Sequence, residues 1–125
     1  MMNLIRYILT AGVFTLLGCS SSDITSANDI VFPGKNVSFK AQVEPLFAVS
    51  CNMSGCHDFV SHAGDVDLTS WIGARSTKVV NAPYDTTCGL IMVVFGREFH
   101  NGSLNLNENH RQGLKQWVIE GAQDN

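Results

Sequence analysis

The stretch Cys51-Asn52-Met53-Ser54-Gly55-Cys56-His57 constrains this chain more than any other. Two thiols with four residues between them, and an imidazole directly behind the second, place three reactive groups in one short loop. Such a loop can hold a haem, a metal ion or a disulfide, and each asks for a different surrounding fold. A structural zinc site needs four N or S ligands, commonly two from each of two loops. Here only one half is present: His62, Cys88, His100 and His110 are scattered singles with no second matched pair. Iron–sulfur clusters meet the same obstacle. Covalent haem asks for less. Two thiols add across the two vinyl groups of the porphyrin, and the histidine behind the second lies under the iron as its proximal ligand. The usual spacing has two residues between the cysteines; with four, Gly55 just before Cys56 gives the longer loop freedom to bulge. The competing reading is a Cys51–Cys56 disulfide beside a surface histidine.

The redox compartment follows from the start of the chain. Residues 1–18 carry Arg6, then an apolar run, then Leu16-Leu17-Gly18 ahead of Cys19. A positive charge, a short apolar stretch and small residues make a secretory signal, too short for a span of about 20 residues. Leu-Leu-Gly-Cys resembles the bacterial lipobox, in which the cysteine is acylated and becomes the mature N-terminus. The expected organisation is a lipoprotein signal peptide over 1–18, a lipidated flexible tether over 19–37 and a folded domain over 38–125. The tether expectation rests on the polar run Ser20 to Asp29. With Cys19 acylated, Cys51, Cys56 and Cys88 are left, an odd number that speaks against a pure disulfide framework. Without Arg6 the mature chain holds 7 basic against 11 acidic side chains, a net charge near −4. That balance argues against nucleic acid as a partner, since phosphate contacts need clustered Lys and Arg.

The flanks of the cysteine loop read as helices. Val43, Leu46, Phe47 and Ser50 fall at helical spacing, with Pro45 acceptable in a first turn. Near the C-terminus, Asn107 is a plausible N-cap, Glu108 suits the first turn, and Leu114, Trp117 and Val118 form an apolar stripe. Gly121 is the expected stop. The run Cys88 to Phe95 is a buried strand or a buried helix; periodicity does not separate the two.

"VEPLFAVSCNMSGCHD", "DLTSW" and "LKQWVIEGAQDN" together resemble the single-haem cytochrome c domains common in exported lipoproteins of Bacteroidetes, Planctomycetes and their relatives. The resemblance spans roughly residues 38–125 and is loosest in the middle. It implies an all-α, cytochrome c-like small bundle around one covalently bound haem c, with a helix over the run that follows Cys88. It further implies thioether links at Cys51 and Cys56, a proximal ligand at His57, and Trp117 packed near the haem and the first helix.

One departure from that family concerns the sixth ligand. The family usually takes it from a Met-Pro loop before the last helix, and this chain has no Met-Pro. His100 occupies that neighbourhood and is the expected distal ligand, giving a bis-histidine iron of lower potential than His/Met. Met92 is the runner-up, better read as core. His62 and His110 fit the position less well, and His110 is expected as a solvated helix residue. Asp58, Asp65 and Asp67 lack calcium-loop spacing and read as solvated loop carboxylates.

Nothing else in the chain has catalytic spacing. The expected function is therefore a non-enzymatic, membrane-tethered electron carrier serving redox partner proteins outside the cytoplasm. Its acidic surface would favour a basic docking patch. Two alternatives stay open: a haem-based small-ligand sensor or subunit with an open sixth position, and a haem-free, disulfide-bonded surface lipoprotein acting as an interaction module.

Overall fold

A computed structural model describes residues 23–98, 100 and 104–125; the segment expected as a signal peptide and Cys19 lie outside them. The described chain is helical, with no strand among the described residues. Four α-helices are joined by long turns: α1 (Glu44–Ser50), α2 (Trp71–Ala74), α3 (Gly89–Val94) and α4 (Glu108–Ile119). No helix among the described residues is long and apolar enough to cross a membrane.

A wide π turn over Phe39–Val43, capped by Ser38, runs directly into α1. Its cause is Pro45, which has no N–H to give and whose ring crowds the carbonyl four residues back. Winding the preceding turn wider relieves that crowding. Val43, Leu46, Phe47 and Ser50 are all buried, as their spacing predicts. In α4, Asn107 accepts the His110 N–H at 3.0 Å, Leu114, Trp117 and Val118 are buried, and Gly121 ends the helix at φ 99°. Trp117 packs on Phe39 with ring centroids 5.7 Å apart, joining the last helix to the first. The run after Cys88 is helical: Leu90, Ile91 and Val94 share one buried face of α3.

The N-terminal boundary differs from the sequence expectation. Much of the segment expected as a tether is folded. Ser26 and Asp29 form a capping box around a 3-10 turn at Ala27–Asp29. Ile30, Phe32 and Val37 then enter the core at 4 %, 4 % and 1 % exposure. Asn109 of α4 clamps the Phe32 backbone from both sides, accepting its N–H at 2.9 Å and donating to its carbonyl at 3.1 Å. His110, expected as a solvated helix residue, is 1 % exposed instead. Its Nε2 meets the Ile30 carbonyl at 3.1 Å, and its Nδ1 accepts the Asn107 N–H. The docked N-terminal segment covers a face of α4 that would otherwise meet water. Asn125 completes the closure by bonding the backbone of Val37, Phe39 and Lys40.

Candidate functional site

The cysteine loop begins where α1 ends. Cys51 caps the helix, its N–H and that of Asn52 both donating to the Phe47 carbonyl, at 2.9 and 2.8 Å. The four intervening residues are taken up by a turn in which Cys56 N–H donates to the Met53 carbonyl at 2.9 Å. Gly55 sits at its third position with φ 84°, the left-handed conformation that such a turn reserves for glycine. The His57 N–H then donates back to the Cys51 carbonyl at 3.1 Å and closes the loop. The longer spacing is thus folded into a compact ring of main chain, and it keeps Cys51, Cys56 and His57 together.

Asp58 does more than meet solvent. Its carboxylate accepts backbone N–H groups from Ser61 and Val60, both at 2.7 Å, and from Gly55 at 2.9 Å. Those bonds, Ser61 first, hold its carboxyl down at about 2. Asp65 and Asp67 have other work: Asp65 pairs with Lys78 at 2.8 Å, and Asp67 closes a turn on Thr69 that leads to the Ser70 cap of α2.

Cys51, Cys56 and Cys88 are free thiols in this structure. Burial, with the Cys56 thiol adding to it, pushes the Cys51 thiol up to about 12, so the position favours uncharged sulfur. Cys88 lies buried at the N-terminus of α3, and burial raises its pKa as well.

The four histidines divide into two pairs of roles. His57 and His100 converge, their ring centroids 5.8 Å apart and their planes tilted by 44°. His57 is anchored from behind, its Nδ1 3.3 Å from the Val66 carbonyl and its own carbonyl accepting Leu68 N–H. An Nδ1–H donated to that carbonyl leaves the Nε2 lone pair open, an arrangement that proteins also use to orient metal-binding imidazoles. His62 stands apart, near Asp67 and edge-on to Phe59, and His110 is absorbed by the N-terminal segment. Met92 lies on α3, its carbonyl accepting the N–H groups of Arg97 and Glu98.

Two thiols and two converging imidazoles are donor types that a covalently held haem would use. Metal–nitrogen bonds of about 2.0–2.1 Å on each side put two imidazole centres facing one metal roughly 6 Å apart. The observed 5.8 Å is compatible with that separation and equally with two rings in ordinary contact. Among the described residues no three His, Cys, Asp or Glu side chains converge as a metal-ion site. A porphyrin brings its own four nitrogens and asks the protein for two axial groups. Sequence reasoning missed the Val66 carbonyl and the loop-building role of Asp58. Both depend on main-chain contacts, which residue types do not announce. Comparison with protein-family models, characterised proteins and solved structures gives no match to this chain.

Proposed function

We propose that this chain is a membrane-tethered c-type cytochrome carrying single electrons between redox partners outside the cytoplasm. The observation that carries the reading is the pair His57 and His100, their ring centroids 5.8 Å apart and their planes tilted by 44°, together with a loop that carries two thiols. Haem c, once bound, supplies a reversible one-electron couple. Cys51 and Cys56 would hold it as thioethers, and the buried position of Cys51 suits a sulfur that carries no charge. His57, held in orientation by the Val66 carbonyl, and His100 would hold its iron. Were both histidines to hold the iron, no seat for a substrate would remain there, which favours carriage over catalysis. The helical architecture and the contact of Trp117 with Phe39 are compatible with a cytochrome c-like bundle. Lipid at Cys19 would hold the domain at a membrane, and the acidic surface would recruit a partner with a basic patch.

The test is a visible spectrum of the full chain, exported with its own leader in cells equipped for c-type haem maturation and extracted in detergent. The expected result is haem that survives acid-acetone extraction, with sharp bands on reduction and no methionine–iron charge-transfer band. A colourless protein with Cys51 and Cys56 oxidised to each other would overturn the reading and leave a disulfide-bonded lipoprotein. Spectra unchanged by His100→Ala but altered by Met92→Ala would move the distal role to Met92.

A further inference from the structure

The segment that carries the cysteines also carries three exposed apolar side chains. Met53, Phe59 and Val60 are 50 %, 71 % and 89 % exposed, although Leu46 and Phe47 of α1, just before them, are fully buried. The backbone beneath them is braced. Asp58 accepts the Gly55, Val60 and Ser61 N–H groups, and the Ser61 hydroxyl takes a second bond from Gly55 N–H at 3.1 Å. The turn after Met53 and the turn that holds Phe59 and Val60 are thereby pinned to one carboxylate. His62 adds a ring edge-on to Phe59, with centroids 5.7 Å apart. Exposed apolar residues scattered singly are ordinary, but three on one braced segment make an anchor.

The surroundings of this knob are acidic. Asp58 belongs to the segment itself. Asp67 stands 3.9 Å from the His62 ring, and Asp65 follows through its N–H to the His62 carbonyl, with 90 % of its side chain exposed. Lys78 reaches the same rim but is taken up by Asp65 and the Gly64 carbonyl. We propose that Met53, Phe59 and Val60 form the docking surface for a partner protein whose apolar recess is rimmed by lysine or arginine. Charge selects that occupant. A second copy would set a like rim of carboxylates against this one, and anionic lipid would repel it as well. The pinned backbone loses little freedom when a partner closes over it. The inference goes beyond the electron-carrier reading because it needs no haem; in that reading, the redox partner would dock on this same segment.

The experiment places a benzophenone-bearing phenylalanine at position 59 of the full chain, in the cells that encode it, and irradiates them. The same probe at Ile72, 77 % exposed on α2, is the control. One protein adduct is expected from position 59, about tenfold or more above the control, with basic residues around the cross-linked site of the identified partner. Met53→Ser with Val60→Ser is expected to lower the yield roughly tenfold. Asp65→Asn, at a φ of 58° that asparagine tolerates, is expected to lower it severalfold. An unfolding curve on each variant separates lost docking from lost fold, and either variant alone suffices if the other does not fold. No adduct, an adduct with a second copy or with lipid, equal yield from Ile72, an acidic partner site, or a yield indifferent to these substitutions overturns the proposal. The visible spectrum is scored separately. A colourless chain that still cross-links keeps this surface and removes the haem, and a haem-bearing chain without the adduct does the reverse.

Discussion

At the scale of single residues, the loop from Cys51 to His57 owes its shape to one glycine and one carboxylate. Gly55 adopts φ 84° with open space where a Cβ would stand, so a substitution there meets backbone strain and no clash. Gly55→Ala is expected to cost about 1–2 kcal/mol, the left-handed penalty for an L-residue. A lowered denaturant midpoint would show it. Asp58 stabilises the fold only while ionised. Its folded carboxyl titrates at about 2 against an ordinary 3.8, so its contribution is full above the ordinary value and is lost as pH falls from there through about 2. The melting-temperature gap between wild type and Asp58→Asn should narrow across that acid range and be widest near neutrality. A gap that stays constant with pH would show that the charge has no part in ordering the loop.

At the scale of elements, α4 organises the molecule, and Gly113 is its least expected member. A glycine inside a helix costs about 1 kcal/mol relative to alanine, so propensity alone predicts that Gly113→Ala stabilises. The structure reverses the sign, because a Cβ there would run into the Phe32 side chain. Overpacking of this kind costs typically about 1–3 kcal/mol and outweighs the propensity gain. Net destabilisation in urea is therefore expected, with relief when Phe32 is shortened in the same chain. The neighbouring His110 seals the same junction. His110→Leu leaves the buried Ile30 carbonyl without its ring partner and removes the acceptor for Asn107 N–H. A loss of about 1–3 kcal/mol follows from the unmet hydrogen bonds, measurable by the same unfolding curve.

At the scale of the whole molecule, the domain starts earlier than its composition suggests. Ile30, Phe32 and Val37 are buried, and each such side chain contributes about 1.5–3 kcal/mol by leaving water. Their sum is a large part of the roughly 5–15 kcal/mol that holds a small domain together. A fragment of residues 38–125 should therefore melt far below one of residues 20–125, or fail to fold. Equal melting temperatures for the two fragments would mean that the N-terminal segment only rests on α4. Were Cys19 lipidated as proposed, few residues would separate the membrane from the first capped turn at Ser26.

Local pattern was enough for α1 and α4. The spacing of Val43, Leu46, Phe47 and Ser50, the cap at Asn107 and the stripe at Leu114, Trp117 and Val118 are periodic signals. A helix displays them before it packs against anything. The run after Cys88 was ambiguous by itself, because an unbroken apolar stretch suits a buried strand as well as a buried helix. Ile30, Phe32 and Val37 follow no period, and only the surface of α4 against which they dock makes them core. The same holds for the histidines. Four single imidazoles look alike in the chain, and nothing local separates His100 from His110. The tertiary structure brings His57 and His100 to 5.8 Å and sends His110 to the Ile30 carbonyl, since pairing across long stretches of chain depends on where the connecting turns lead.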